Sequence, residues 1–106
     1  MNPQPGEIWI ADLGMTAKNR PVLVVSRHDP GAPRALVIYI IPLTTQNRNS
    51  KYEVSLPKLR FLDRPSVANV QGIGSMPTIR LERKLGNLPE PAMTQIKNVL
   101  LFALGI

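Results

Sequence analysis

Arg20 stands directly before Pro21, and Thr44 heads the run Thr44-Thr45-Gln46-Asn47-Arg48. A residue before proline is pushed out of the helical region towards extended geometry, so the Arg20 backbone is pinned at the entrance to a strand. Arginine carries a planar fork of donors that grips a phosphate in two places and stays charged at any working pH. Lys18 and Asn19 add a second cation and an amide to the same short loop. The side chains of Thr44, Thr45, Gln46 and Asn47, followed by the cations Arg48 and Lys51, can hold phosphate oxygens and base edges. Such a set suits RNA cleavage. The 2′-hydroxyl of RNA attacks its own neighbouring phosphate once the two are aligned, so no protein nucleophile is needed. The protein then supplies orientation, stabilisation of charge on the phosphorane-like transition state, and proton transfer. Arg20 fits charge stabilisation and Thr44 fits positioning. On residue types alone, a solvated loop arginine and a hydrogen-bonded turn account for the same residues, and do so more often.

Composition narrows the partners. The 106 residues include 13 Lys and Arg against 7 Asp and Glu, a net charge of +6, with a pI near 10.3. That balance favours a polyanion: nucleic acid, an anionic membrane or an acidic protein segment. With no cysteine and the single histidine His28, the chain lacks the usual ligands of zinc and transition-metal sites, so neither a metal site nor a cofactor is expected. The longest apolar run, 35–43, is too short to span a bilayer, and residues 1–5 lack a basic-then-apolar signal layout. No membrane association and a cytoplasmic location are expected. One domain over 1–106 is expected, and so small a core predicts a homodimer.

Other motifs carry less. Gly72-Ile73-Gly74 lacks the third glycine of a dinucleotide fingerprint and the Gly-Lys-Ser/Thr of a phosphate loop, and reads as turn flexibility. Ser26-Arg27-His28-Asp29 holds hydrolase residue types, but a catalytic triad is assembled in space rather than from neighbours in sequence. His28 reads as a loop residue and Trp9 as core.

Strands must position these groups. Residues 7–13 follow a Pro-Gly breaker and have strand composition ending at Gly14. Residues 21–26 and 35–43 are apolar on both faces, so both sides of each are expected to be covered. Pro42 removes a backbone donor, marking an edge, a bulge or the end of pairing. Residues 47–50 form a polar loop, 51–56 alternate as a half-buried strand, and 66–73 form a fifth. Pro89-Glu90-Pro91 marks a helix start. Ile96, Val99, Leu100 and Ala103 follow helical spacing, while Leu101 and Phe102 widen the apolar stripe beyond what a monomer's surface helix needs. Four or five strands and one helix predict a small antiparallel barrel.

Three segments resemble the MazF/PemK family of toxin endoribonucleases. Residues 6–13 look like its opening strand, 19–26 like its Arg-Pro strand, and Pro42-Leu43-Thr44-Thr45-Gln46 like its Pro-x-Thr corner. Similarity continues through Val70-Gln71, Arg80-Leu81 and 86–88 to the last helix, and so covers nearly the whole chain. The resemblance implies a mainly β fold with a C-terminal helix, an SH3-like antiparallel β-barrel. It also implies a homodimer binding single-stranded mRNA across its interface, and metal-independent cleavage to a 2′,3′-cyclic phosphate and a 5′-hydroxyl. It places Arg20 and Thr44 on the catalytic arginine and threonine, with Lys18, Thr45, Gln46, Arg48, Lys51 and Gln71 as RNA contacts. A cognate antitoxin would lay an acidic, flexible segment in the same groove.

Two departures stand out. The loop 14–19 is shorter than in many members, and Val70 stands where members commonly carry Asp before Gln. Residues 96–98 and the terminal Gly105-Ile106 also resemble the last helix of CcdB, a gyrase-poisoning toxin of the same fold, but Leu104 replaces its tryptophan. Gyrase inhibition is therefore the alternative from another class. A catalytically silent domain binding RNA or an antitoxin is the third reading, and Val70 favours it.

Overall fold

The computed structural model describes residues 2–14, 19–33 and 37–106. Among them the chain forms β1 (Glu7–Asp12), β2 (Asn19–Val24), β3 (Val37–Thr44), β4 (Glu53–Ser55), β5 (Val67–Asn69), β6 (Gly74–Pro77), β7 (Leu81–Asn87) and the helix α1 (Glu90–Leu104). Short 3-10 turns occupy Val70–Gly72 and Thr78–Arg80. The antiparallel sheet runs β4-β5-β3-β2-β1-β7, and β6 joins it through β3. This is the mainly β class with a C-terminal helix that was expected. The sheet is not closed: among the described residues its end strands β4 and β7 are not paired with each other.

β3 is the axis of the sheet. One edge pairs with β2 through Val22↔Pro42, Leu23↔Ile41 and Val24↔Ile40. The other edge is shared, by β6 up to Ile40↔Gly74 and by β5 from Leu43↔Ala68. Pro42 falls in the gap between these two partners. Proline there leaves no N–H unsatisfied, and the chain between β5 and β6 turns off the sheet at that point. A Cβ on Gly72 would lie 2.7 Å from Pro42 Cγ, so only glycine allows this approach. The single strand expected over 66–73 is therefore broken into β5 and a 3-10 turn. The reading of Gly72 as turn flexibility gives way to one of close packing against Pro42.

Alternation divides the apolar residues between two cores. Ile8, Leu23, Ile41, Leu43, Val54, Ala68 and Val70 meet Leu88, Ala92 and Ile96 on one side. Trp9, Ala11, Val22, Val24, Ile38, Ile40, Met76 and Leu81 form the other. Both faces of β2 and β3 thus contribute to a core, as their continuous hydrophobicity predicts, although Tyr39 of β3 is 53% exposed. β7 was not anticipated. Its Leu81-Glu82-Arg83-Lys84 is charged, with only Leu81 buried, as befits an end strand whose outer face is solvated.

α1 starts after Pro89 without a side-chain cap. Burial of Ile96 and Ala92 holds it, since a fully buried isoleucine contributes about 1.5–3 kcal/mol against roughly 1 kcal/mol for a cap. The helix ends at Gly105, φ 72°, where the Gly105 N–H donates to the Phe102 carbonyl and the Ile106 N–H to that of Leu101. This paired arrangement requires the left-handed glycine. Val99 and Leu100 pack on the core, but Ala103 is exposed, contrary to its expected place in the stripe, because helix packing on the core stops at Leu100. No helix among the described residues is long and apolar enough to cross a membrane.

Candidate active site

Arg20 and Thr44 end neighbouring strands. The β2–β3 ladder stops at Val22↔Pro42. Carried two residues further, its register sets Arg20 opposite Thr44. Period-two alternation also puts both on the face of Val22, Val24, Ile38 and Ile40, which share one core. Arg20 is tied to the next strand by its pairing with Ala11, and its side chain is exposed.

Thr44 opens a tightly organised loop. Its Oγ1 accepts the Gln46 N–H at 3.1 Å, which fixes the first turn and leaves the hydroxyl hydrogen available to a further acceptor. The Asn47 Oδ1 accepts the Asn49 N–H at 2.8 Å, and Asn49 takes a left-handed φ of 55°, a conformation asparagine tolerates. Glu53, at the start of β4, closes the loop. Its Oε1 accepts both the Arg48 N–H at 3.1 Å and the Ser50 N–H at 3.0 Å. The Arg48 guanidinium donates to Gln46 Oε1 at 3.2 Å.

These residues wall a polar cavity of about 340 Å3, lined by Thr44, Gln46, Arg48, Ser50, Glu53, Asn69, Gln71 and the Gly72 backbone. Four expected residues, Thr44, Gln46, Arg48 and Gln71, therefore converge. Others do not. Thr45 points away, as alternation requires after Thr44, and lines a second hollow with Pro21, Arg64, Ser66 and Arg83. Lys51 leans over the Phe102 ring, its Nζ 5.7 Å from the ring centre, rather than into the cavity. Arg20 borders this end of the sheet without forming part of the cavity wall. Lys18 lies outside the described residues.

Glu53, Asn69 and Ser50 were not singled out as site residues. Glu53 and Asn69 are cross-strand partners on β4 and β5, sixteen positions apart in the chain and visible together only once that pairing is known. Val70, the position at which the resemblance expects an acid, is wholly buried in the helix-side core. Among the described residues no three His, Asp or Glu side chains gather as metal ligands. The Ser26-Arg27-His28-Asp29 run forms no triad: Ser26 Oγ accepts the Tyr39 N–H, Asp29 caps the Gly31 N–H, and His28 Nδ1 lies 3.2 Å from Asn2 Oδ1.

Residues 4–104 match the family described as PemK-like, MazF-like toxin of type II toxin-antitoxin system. The chain belongs to this family. Solved structures agree with the assignment. A mycobacterial protein described as an endoribonuclease in complex with its cognate antitoxin is 25% identical, with 98% of this chain and 96% of that one covered at a TM-score of 0.84. The Mycobacterium tuberculosis toxin MazF-mt6 is 27% identical, with coverage of 94% and 97% and a TM-score of 0.81. A MazE-MazF structure from Deinococcus radiodurans shares the fold at 20% identity and a TM-score of 0.83, covering 100% and 98%.

In this PemK-like, MazF-like toxin, Glu7 anchors the strand that carries Arg20's partner. Its Oε1 accepts the Trp9 indole N–H at 3.0 Å and the Gln4 N–H at 2.9 Å, and Oε2 pairs with Lys84 Nζ at 3.1 Å. Burial alone would raise the Glu7 pKa. The Trp9, Gln4 and Lys84 contacts outweigh it and hold the carboxyl below its usual range.

Proposed function

We propose that this toxin is an endoribonuclease that cleaves single-stranded mRNA sequence-specifically, without a metal ion, and acts in the cytoplasm. The observation that carries the reading is the matched placement of Arg20 and Thr44 on one face of adjacent strand ends, beside a polar cavity. It is supported by the 25% identical mycobacterial relative described as an endoribonuclease. In the reaction, the substrate 2′-oxygen attacks the adjacent phosphorus and the P–O5′ bond breaks. The 2′-hydroxyl loses its proton and the leaving 5′-oxygen gains one, giving a 2′,3′-cyclic phosphate and a 5′-hydroxyl. Arg20 would bind the non-bridging oxygens and stabilise the charge that builds on them. Thr44, its lone pair engaged by Gln46, would donate its hydrogen to the same phosphate and hold it in line.

The same reading gives the toxin a homodimeric state and an antitoxin with an acidic, flexible segment that competes with RNA. Leu101, Phe102, Leu104 and Ile106 are all about half exposed or more, at 48%, 53%, 55% and 85%, beside an apolar hollow lined by Val25, Tyr39, Ile73, Leu100 and Leu104. A second copy of the chain would cover this surface. The test is incubation of purified protein with single-stranded RNA in EDTA. Fragments with 5′-hydroxyl and cyclic phosphate ends are expected, and intact RNA in the presence of folded protein refutes the reading.

A further inference from the structure

We propose that the cavity beneath Thr44 is a subsite for one unstacked RNA base, and that Glu53 selects that base through its exocyclic amino group. The inference rests on the RNA-cleaving reading and names the base chemistry that this site prefers. Its volume of about 340 Å3 lies at the small end of the range for sites enclosing small molecules, roughly 300–1,000 Å3.

The two Glu53 oxygens have different duties. Oε1 accepts two backbone N–H groups and so holds the loop. Oε2 has no hydrogen-bond partner among the described residues and is open to solvent, since no buried side-chain oxygen among them lacks a partner. Glu53 lines this cavity and also a neighbouring hollow with Gln95 and Asn98. The ion pair among those residues joins Lys84 to Glu7, so neither Arg48 nor any other described cation neutralises Glu53 within 4 Å. A half-buried carboxylate in a site for a polyanion repels phosphate. It is tolerable where it faces a part of the ligand that donates hydrogen bonds, in RNA the 2′-hydroxyl or a base N–H group, and the amide-bearing walls of the cavity suit the base. The other polar walls suit a base edge as well: Asn69 and Gln71 carry both donor and acceptor atoms, and Thr44 stands at the rim nearest the strand ends, where the backbone would pass. The subsite therefore favours guanine, adenine or cytosine, each with an exocyclic amino donor, over uracil, whose one donor, N3–H, is flanked by two carbonyls that Oε2 repels.

Glu53→Gln separates the two duties. The amide oxygen can keep both loop N–H groups, while the amide nitrogen replaces Oε2 and turns an acceptor into a donor. Two randomised pools would be selected with wild-type and E53Q protein and sequenced: RNA, read at the cleavage site, and 2′-fluoro RNA, which lacks the attacking hydroxyl, read by retention. At one position the wild type is expected to disfavour uracil roughly tenfold, and E53Q to remove or reverse that bias. Thermal melting checks that E53Q is folded. If it is not, the wild type is tested with analogues lacking the amino group, such as inosine for guanosine, which must bind roughly tenfold more weakly. Bias in the 2′-fluoro pool without cleavage would reject the ribonuclease reading and keep the subsite. Cleavage with the same base profile in both proteins overturns the subsite alone, as does a slower E53Q with an unchanged profile, which would assign Glu53 to proton transfer. No cleavage of the RNA pool together with no retention of the 2′-fluoro pool overturns both.

Discussion

Arg20 and Thr44 occupy corresponding positions on adjacent antiparallel strands, each two residues beyond the last paired residues, Val22 and Pro42. Both lie on one face of the sheet, at the point where the ladder has ended and their side chains are no longer committed to a core. The backbones that carry the cation and the hydroxyl are each fixed by another strand, β1 for Arg20 and β5 for Thr44. Preorganisation of this kind is what transition-state charge stabilisation needs.

Arg20→Ala is expected to lower the RNA cleavage rate by roughly 10²–10³-fold, the effect of removing one preorganised donor. Because Arg20 is exposed, stability should change by no more than about 0.5 kcal/mol. Single-turnover cleavage and urea melts measure the two. Arg20→Lys should recover only part of the rate, since a point charge cannot grip two oxygens.

Thr44→Val keeps the shape and removes the oxygen that accepts the Gln46 N–H. A loss of about 0.5–1.5 kcal/mol of stability is expected from the broken bond, with a fall in cleavage at saturating RNA. Thr44→Ser should restore both. Equal activity in the valine and serine variants would remove Thr44 from the reaction.

Glu7 gives the fold an acid sensitivity of definite sign. Its folded pKa lies below the unfolded value, so the folded state favours the ionised form. The stabilisation is complete above the unfolded carboxylate pKa and is lost as pH falls through the folded one. Glu7→Gln should lower stability at neutral pH and flatten its decline on acidification, as read from denaturant melts between pH 7 and pH 3. An unchanged slope would show that the Trp9, Gln4 and Lys84 contacts do not lower the pKa.

Leu104→Glu tests the surface proposed to bind a second copy. Leu104 is 55% exposed and also lines the apolar hollow with Tyr39 and Ile73. A carboxylate there should convert dimer to monomer in sedimentation equilibrium while leaving the monomer folded, because the side chain contributes little to the internal core. A wild-type chain that sediments as a monomer would refute the dimer directly.

The strands β1 to β3 and the helix were legible because their signals are local. Continuous hydrophobicity in 21–26 and 35–43 means burial on two sides, and prolines at a helix start leave little else for 89–91 to do. The toxin family was legible from the order of the Arg20-Pro21 and Pro42-x-Thr44 segments. β7 was missed because its charged outer face hides the alternation that would reveal it. The break after Asn69 was missed because it depends on Gly72 meeting Pro42, thirty residues earlier in the chain.

The sequence by itself determined the residue types, the basic charge and the backbone constraint at Arg20, all of which act within a few positions along the chain. Only the tertiary structure decided which of those residues share a site. The register of β2 and β3, carried two residues past its last pair, gave Arg20 and Thr44 corresponding positions, and strand alternation turned Thr45 to the other side. Pairing of β4 with β5 brought Glu53 and Asn69 to the cavity, while the helix end drew Lys51 away. The reason is physical: a strand's side chains alternate every residue, so a one-residue difference in pairing reverses which groups meet, and that pairing is fixed by cores far from the site.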